Sequence, residues 1–318
     1  MSSKRYPIIF FKGMAMGMAD VIPGVSGGTI AFISGIYEEL VDSIGRLDAT
    51  ALKVLMKEGP MACFRHINGQ FLLTLVSGIA LSIIALAKFI TELMVTEPIR
   101  LWSFFFGLII ASAIFIGKDL KWNSVKNALA LAIGTGIAYF ISVASPSGGD
   151  VGLWYVLFSG AVAICAMILP GISGSFILLL LGAYGTVFGA IGSISSDFMA
   201  ALPVIAVFLC GAFFGLLSFA KVLKWLFANY RELTMALLTG FMVGSLNKVW
   251  PWKEVLETRI NSKGEEVPFL ESNISPSSYE SILGLPSELG WAAVTALAGM
   301  AIVLVFSRLS PKEEPSAA

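Results

Sequence analysis

Charge is what this sequence has least of. Of its 318 residues, 13% are Asp, Glu, Lys or Arg and 57% are apolar, whereas soluble domains carry about 25% charged residues. A soluble core could not hide so much apolar surface behind so few charges. Histidine is nearly absent. The single His66 lies in a polar stretch, which excludes histidine metal clusters and leaves little for a Ser-His-Asp triad. The three cysteines, Cys63, Cys165 and Cys210, are odd in number and far apart, so no disulfide framework or zinc site is expected. Basic and acidic residues balance at 21 each, so no electrostatic footprint for nucleic acid is present. Neither catalytic residues, metal ligands nor a cofactor are expected. The N-terminal apolar run is interrupted by Lys12 and lacks a small-residue cleavage site, so it reads as mature chain.

What fills the chain instead is apolar runs of membrane-spanning length. Six segments are predicted as transmembrane helices: 70–92, 101–117, 126–145, 200–220, 232–248 and 289–308. Two further stretches, 7–41 and 154–190, are broken near their middles. The breaks are Pro23-Gly24-Val25-Ser26-Gly27-Gly28 and Pro170-Gly171-Ile172-Ser173-Gly174-Ser175. Each arm has about 15 residues, or about 22 Å of helix, too short for a hydrocarbon core of about 30 Å. Each stretch therefore reads as a re-entrant helical hairpin.

The hairpins are copies. Shifting residues 13–37 by 147 gives nine identities without a gap, among them Gly13 with Gly160, Gly35 with Gly182 and Tyr37 with Tyr184. Past the hairpins the shift becomes 133, matching Gly78 with Gly211, Lys88 with Lys221, Gly107 with Gly240 and Ser112 with Ser245; Gly134 matches Gly299 more loosely. The expected fold is an all-α polytopic membrane protein of two repeats, 1–150 and 151–318. Each repeat is a re-entrant hairpin followed by three transmembrane helices. Three spans per repeat turn the second copy upside down. Only Arg100, Lys248, Lys253, Arg259 and Lys263 then fall outside and Lys88 within a span, leaving the other fifteen basic residues cytoplasmic. Single crossings would divide the basic residues almost evenly. The positive-inside rule favours inverted repeats with both termini cytoplasmic. The connection 42–69 is basic and cytoplasmic, and 249–288 is expected to be a plain solvated external loop.

Inverted repeats with interrupted helices place a binding site near the bilayer midplane, where the breaks meet. Pro23, Gly24, Pro170 and Gly171 form the tips. The backbone N–H groups of Ser26, Gly27, Gly28, Ser173, Gly174 and Ser175 are expected to be free, with Ser26, Thr29, Ser173 and Ser175 adding hydroxyl donors. Together they make two facing cradles for a phosphate, built almost without cations. Turn formation and helix capping account for part of each motif. Asp20, whose counterpart is Met167, is the one acid in an otherwise uncharged arm. It is a candidate to carry a coupling proton, to bind a cation such as sodium, or to pin the tip by hydrogen bonds. Glu38 is a second coupling or gating candidate at the interface. Lys12, Lys88 and Lys221 either snorkel to headgroups or attract a phosphate.

The run Gly13-Met14-Ala15-Met16-Gly17-Met18-Ala19-Asp20-Val21-Ile22-Pro23-Gly24-Val25-Ser26-Gly27-Gly28-Thr29-Ile30, followed by Gly35-Ile36-Tyr37-Glu38, closely resembles the PopT family. The resemblance extends over essentially the whole chain, including the second PGISGS copy. It implies a bacterial cytoplasmic-membrane transporter that returns undecaprenyl phosphate, the lipid carrier of cell-envelope synthesis, to the inner leaflet. More distantly, the motif is similar to the PGxSRS of undecaprenyl-diphosphate phosphatases. Here Gly27 and Gly174 stand where those enzymes have arginine, and no ExxxE pair precedes either motif. A phosphoryl group in transfer needs such a cation, so holding a phosphate is favoured over cleaving it. Two alternatives remain at this point: a polyprenyl-diphosphate phosphatase, and a carrier or channel for a small soluble anion.

Overall fold

The computed structural model describes residues 5–22, 25–118, 120–144, 151–194, 196–260 and 266–309. The elements run α1 (Arg5–Asp20), α2 (Gly27–Ile33), α3 (Tyr37–Gly45), α4 (Ala49–Glu58), α5 (Pro60–His66), α6 (Gly69–Thr96), α7 (Pro98–Gly117) and α8 (Val125–Val143). After these come α9 (Leu153–Ile168), α10 (Gly174–Leu180), α11 (Tyr184–Ser193), α12 (Phe198–Ser245), β1 (Lys253–Ile260), β2 (Glu266–Asn273), α13 (Pro276–Leu283) and α14 (Leu289–Leu309). Among the described residues the regular structure is helical apart from one two-stranded ribbon. Pro98 and Pro60 open their helices at the first turn, where a missing N–H costs nothing.

Among the described residues, α6, α7, α8 and α12 are long and apolar enough to cross a membrane. The 48 residues of α12 would measure about 72 Å if straight. The backbone leaves helical geometry at Tyr230 (φ −139°, ψ 44°), so the element is two helices joined by a kink. The kink falls where the sequence predicts the polar break between 200–220 and 232–248. α14 is apolar over Leu289–Val305.

Glycines carry the helix contacts, because a missing side chain lets two backbones touch. A Cβ on Gly13 would lie 2.3 Å from the Leu75 carbonyl, and one on Gly78 2.2 Å from that of Phe10, locking α1 to α6. Their sequence partners do the same between α9 and α12: a Cβ on Gly160 would lie 2.6 Å from the Phe208 carbonyl and one on Gly211 2.0 Å from that of Leu157. Likewise Gly107 and Gly299 join α7 to α14, where a Cβ on either would lie 2.1 Å from a carbonyl of the other helix, and Gly240 and Gly134 join α12 to α8, where it would lie at 2.2 Å. Glycines matched by the sequence repeat thus sit at matched crossings.

The interrupted helices differ from expectation. Their second arms are not continuous helices of about 15 residues. Each is a seven-residue helix, α2 or α10, ended by a glycine in left-handed backbone geometry: Gly35 at φ 72° and Gly182 at φ 71°. The chain then turns into α3 or α11, with 113° between α10 and α11. Only glycine adopts this geometry without strain, so each turn is built into the motif.

The segment 249–288 is not a plain solvated loop either. β1 and β2 pair antiparallel, and the Trp250 and Trp252 indoles donate to the Ile274 and Ser287 carbonyls, both at 2.9 Å. Trp252 packs in a small core with Ile99, Tyr279 and Ala292, which seats this cap on the ends of α7 and α14. Alternation in a short polar segment is a weak strand signal, and the anchoring tryptophans come from its entry alone.

Candidate functional site

α1 clamps α2 at both ends. At the start of α2, Asp20 Oδ1 accepts the Gly27 N–H at 2.7 Å. Ser26 caps the same helix, its hydroxyl oxygen accepting the Gly28 N–H at 3.1 Å. At the other end the Lys12 ammonium donates to the Ser34 carbonyl at 2.5 Å. An anion at the helix start and a cation at its end both suit the helix dipole. The Gly27 and Gly28 amides, expected to be free, are therefore satisfied within the protein, and Asp20 sits where a bound anion would sit. A Cβ on Gly27 would come within 2.6 Å of that carboxylate, so glycine is needed for the closure. Pro23 and Gly24 lie outside the described residues.

The two motifs meet. The Ser26 hydroxyl donates to the Met167 carbonyl at 2.9 Å, and the Gly171 N–H donates to the Thr29 hydroxyl at 2.8 Å. Gly28 packs so closely that a Cβ there would be 2.4 Å from the Ile168 carbonyl. Ser26, Gly27, Gly28, Thr29, Ser173 and Gly174 are buried, and Ser175 is half-buried.

The second tip has no clamp. Met167 stands in place of Asp20 and Ser159 in place of Lys12. Ser173 makes no side-chain cap on α10; its hydroxyl lies 2.9 Å from that of Ser175. Beside this tip opens a narrow cleft lined by Gly171, Ser173 and Phe176, by Ser142 of α8, and by Ser245 and Lys248 at the end of α12. Its free room is about 10 Å³, about enough for one water. The Lys248 ammonium lies 4.4 Å from the centre of the Phe176 ring and 3.6 Å from Glu271 of the ribbon. Glu271 also pairs with Lys253 at 3.2 Å, and Lys253 lies over Trp102 at 4.2 Å. Burial pushes the Lys253 ammonium down to about 8, against the pull of Glu271. Burial alone would raise the Glu271 carboxyl, yet Lys253 and Lys248 hold it below its ordinary value.

One ammonium group, that of Lys248, thus lies beside the second tip. Lys248, Ser142 and Ser245, which line the cleft, are not among the candidates that the sequence offers. The one sequence signal for them was the match of Ser112 with Ser245, three residues before a lysine and so on the same helix face. The other expected charges lie elsewhere. Lys12 is the cap described above. Lys88 and Lys221 are exposed on α6 and α12. Glu38 bonds Arg231 just past the kink, at 2.7 Å and 3.0 Å, tying α3 to α12. Asp42 bridges Arg46 at 2.5 Å and Lys224 at 2.7 Å on the same face. Among the described residues no cluster of His, Cys, Asp or Glu is fit to hold a metal.

Fold and site together define a multi-pass membrane protein whose polar groups converge where two interrupted helices touch. A family model described as "VCA0040-like: Undecaprenyl phosphate translocase-like" matches residues 16–267, and the chain belongs to that family. It is 48% identical over 308 residues to a polyprenyl-phosphate transporter of Vibrio cholerae serotype O1, covering 97% of this chain and 98% of the relative. A polyprenyl-phosphate transporter of Staphylococcus aureus is 32% identical over 259 residues, 77% of this chain and 86% of the relative. These relatives are transporters rather than enzymes. No solved structure matches the chain.

Proposed function

We propose that this protein carries polyprenyl monophosphate, of the undecaprenyl phosphate type, from the outer to the inner leaflet of a bacterial cytoplasmic membrane, returning the lipid carrier of envelope synthesis. Residues 1–150 and 151–318 act as inverted repeats, both termini are cytoplasmic, and a site between the PGxSG tips opens alternately to either side. The observation that carries this reading is the direct contact between the tips, Ser26 to Met167 and Thr29 to Gly171, beside a cleft with an ammonium group. Matched glycines at matched crossings support the repeat.

The cleft is the occluded form of the outward site. A phosphate entering it takes Lys248 from Glu271 and gains the hydroxyls of Ser142, Ser173 and Ser245, with the Ser175 hydroxyl and the Gly174 N–H at the rim. Phosphate oxygens suit this set because each accepts from charged and neutral donors at once. Ser26, Gly27, Gly28 and Thr29, with Pro23 and Gly24, form the inward half, closed by Asp20 until proton or sodium binding releases that carboxylate. Pro170 and Gly171 fix the outward tip.

The test is flipping of a fluorescent polyprenyl phosphate in proteoliposomes, with and without a proton or sodium gradient. Lys248→Met and Asp20→Asn should each slow it at least tenfold, with unchanged gel-filtration profiles, and only Asp20→Asn should remove the gradient effect. Equal rates in wild type and both variants would sink the site assignment. No inorganic phosphate should appear when polyprenyl diphosphate is supplied.

A further inference from the structure

The cleft is too small for any part of an isoprenoid chain, so the chain must leave it. On α8 and α12 the structure has a second, much larger space. It is lined by Leu131, Thr135, Gly136 and Tyr139 of α8 and by Val243 and Gly244 of α12, and it offers about 540 Å³ to the cleft's 10 Å³. That is within the range of small-molecule pockets, about 300–1,000 Å³. Its lining is nearly all hydrocarbon. The Thr135 hydroxyl is turned back onto the Leu131 carbonyl at 2.9 Å. The outward neighbours Ile133, Ile137 and Phe140 are exposed apolar side chains, so the groove opens on a face made for lipid.

Cleft and groove share a boundary. Ser142 lines the cleft and Asn247 ends the groove, and the Asn247 amide donates to the Ser142 hydroxyl at 2.9 Å. Asn273 of the ribbon holds Asn247 from above, at 2.7 Å to its carbonyl and 3.0 Å to its side chain. Along α8, Ser142 to Leu131 is eleven residues, or about 16 Å of helix, close to half of the roughly 30 Å hydrocarbon core. The groove thus begins at a polar end beside an ammonium group and has a length comparable to the hydrocarbon of one leaflet.

We infer that the α8–α12 groove is the binding site for the isoprenoid chain of a polyprenyl phosphate, taking the units nearest the phosphate, with the Ser142–Asn247 bond as the pass between chain and headgroup. This rests on the function proposed above, since the phosphate end is the Lys248 cleft. The occupant is a branched polyprenyl chain, not a phospholipid acyl chain. Gly136, where a Cβ meets no atom within 4 Å, leaves a step in the wall that suits a methyl branch, and the polar end has the Lys248 ammonium for the phosphate.

Gly136 makes the test clean. A Cβ there meets no atom within 4 Å, so Gly136→Phe fills the groove without disturbing the fold. Binding would be measured with the full-length protein, using a C55 polyprenyl phosphate and, as a ligand without a chain, inorganic phosphate, and flipping with the C55 phosphate. Gly136→Phe should weaken C55 binding and flipping at least tenfold and leave inorganic phosphate binding within twofold, whereas Lys248→Met should weaken both. In the wild type, a C55 phosphate with a diazirine on its third isoprene unit should crosslink to Thr135, Tyr139 or Val243. An excess of C55 phosphate should compete this away and phosphatidylglycerol should not. Wild-type C55 flipping by Gly136→Phe, crosslinks elsewhere, or competition by phosphatidylglycerol would overturn the groove assignment. An unaffected Lys248→Met, with crosslinks still in the groove, would overturn the phosphate site alone.

Discussion

Lys12 and Asp20 lie eight residues apart on α1 and grip the two ends of a seven-residue helix. A hydrogen bond to a charged group is worth about 1.5–3 kcal/mol. Lys12→Met should therefore lower stability by about that much, read as a fall in the detergent melting temperature. Asp20→Asn keeps an acceptor for the Gly27 N–H and should cost less than Asp20→Ala. Gly27→Ala should reproduce the Asp20 defect, because the added methyl falls on the carboxylate. Were Gly27→Ala to flip lipid at the wild-type rate, the clamp would have no part in transport. Asp20 stands out in the sequence because a lone acid in an apolar arm is conspicuous, and pinning was one of its three readings. The role of Lys12 is not legible there, since its partner is a backbone carbonyl, which every residue carries.

Among elements, the interrupted helices were the most legible, since proline and glycine mark breaks directly. Gly35 and Gly182 were matched in the sequence, but a turning glycine and a packing glycine look alike until the backbone is known. The ribbon was least legible, because its stability comes from tryptophans packing on the distant helices α7 and α14. It also carries a pH signature. Free lysine titrates near about 10.4, while Lys253 is pushed down to about 8 by burial. Between these values the unfolded chain binds more protons than the folded one, so stability rises with pH through that window. The charges facing Lys253 are Glu271 and Lys248, and a Glu271 titrating below its ordinary value stays ionised throughout. Wild type should gain melting temperature relative to Lys253→Met between pH 8 and 10. A difference flat across that range would exclude a buried ammonium.

At the scale of the molecule, scarce charge was the most informative feature. The ion pairs gather at two ends: Asp42, Glu38 and Glu232 with their partners at one, Arg100 and the Lys248–Glu271–Lys253 cluster at the other. With Cys165 and Cys210 replaced by alanine, Cys63 should react with an impermeant maleimide only after cells are opened. A Ser277→Cys protein lacking the native cysteines should react in intact cells. The reverse pattern would invert the proposed orientation. The cleft beside the second tip was beyond sequence reasoning. It assembles Ser142, Ser173 and Lys248 from segments far apart in the chain, and nothing local marks such a meeting.

The clamp on one tip and its absence from the other make the two halves unequal. A carrier with identical halves would idle with no preferred orientation. Here any conformation that releases α2 gives up two charge-assisted bonds, together about 3–6 kcal/mol, a bias of roughly a hundredfold or more. Under the function proposed above, the empty carrier would be parked, waiting on the side where cargo is to be collected. Spin labels across the outer cleft should report a single distance without lipid in wild type, and two once Lys12 and Asp20 are both neutralised.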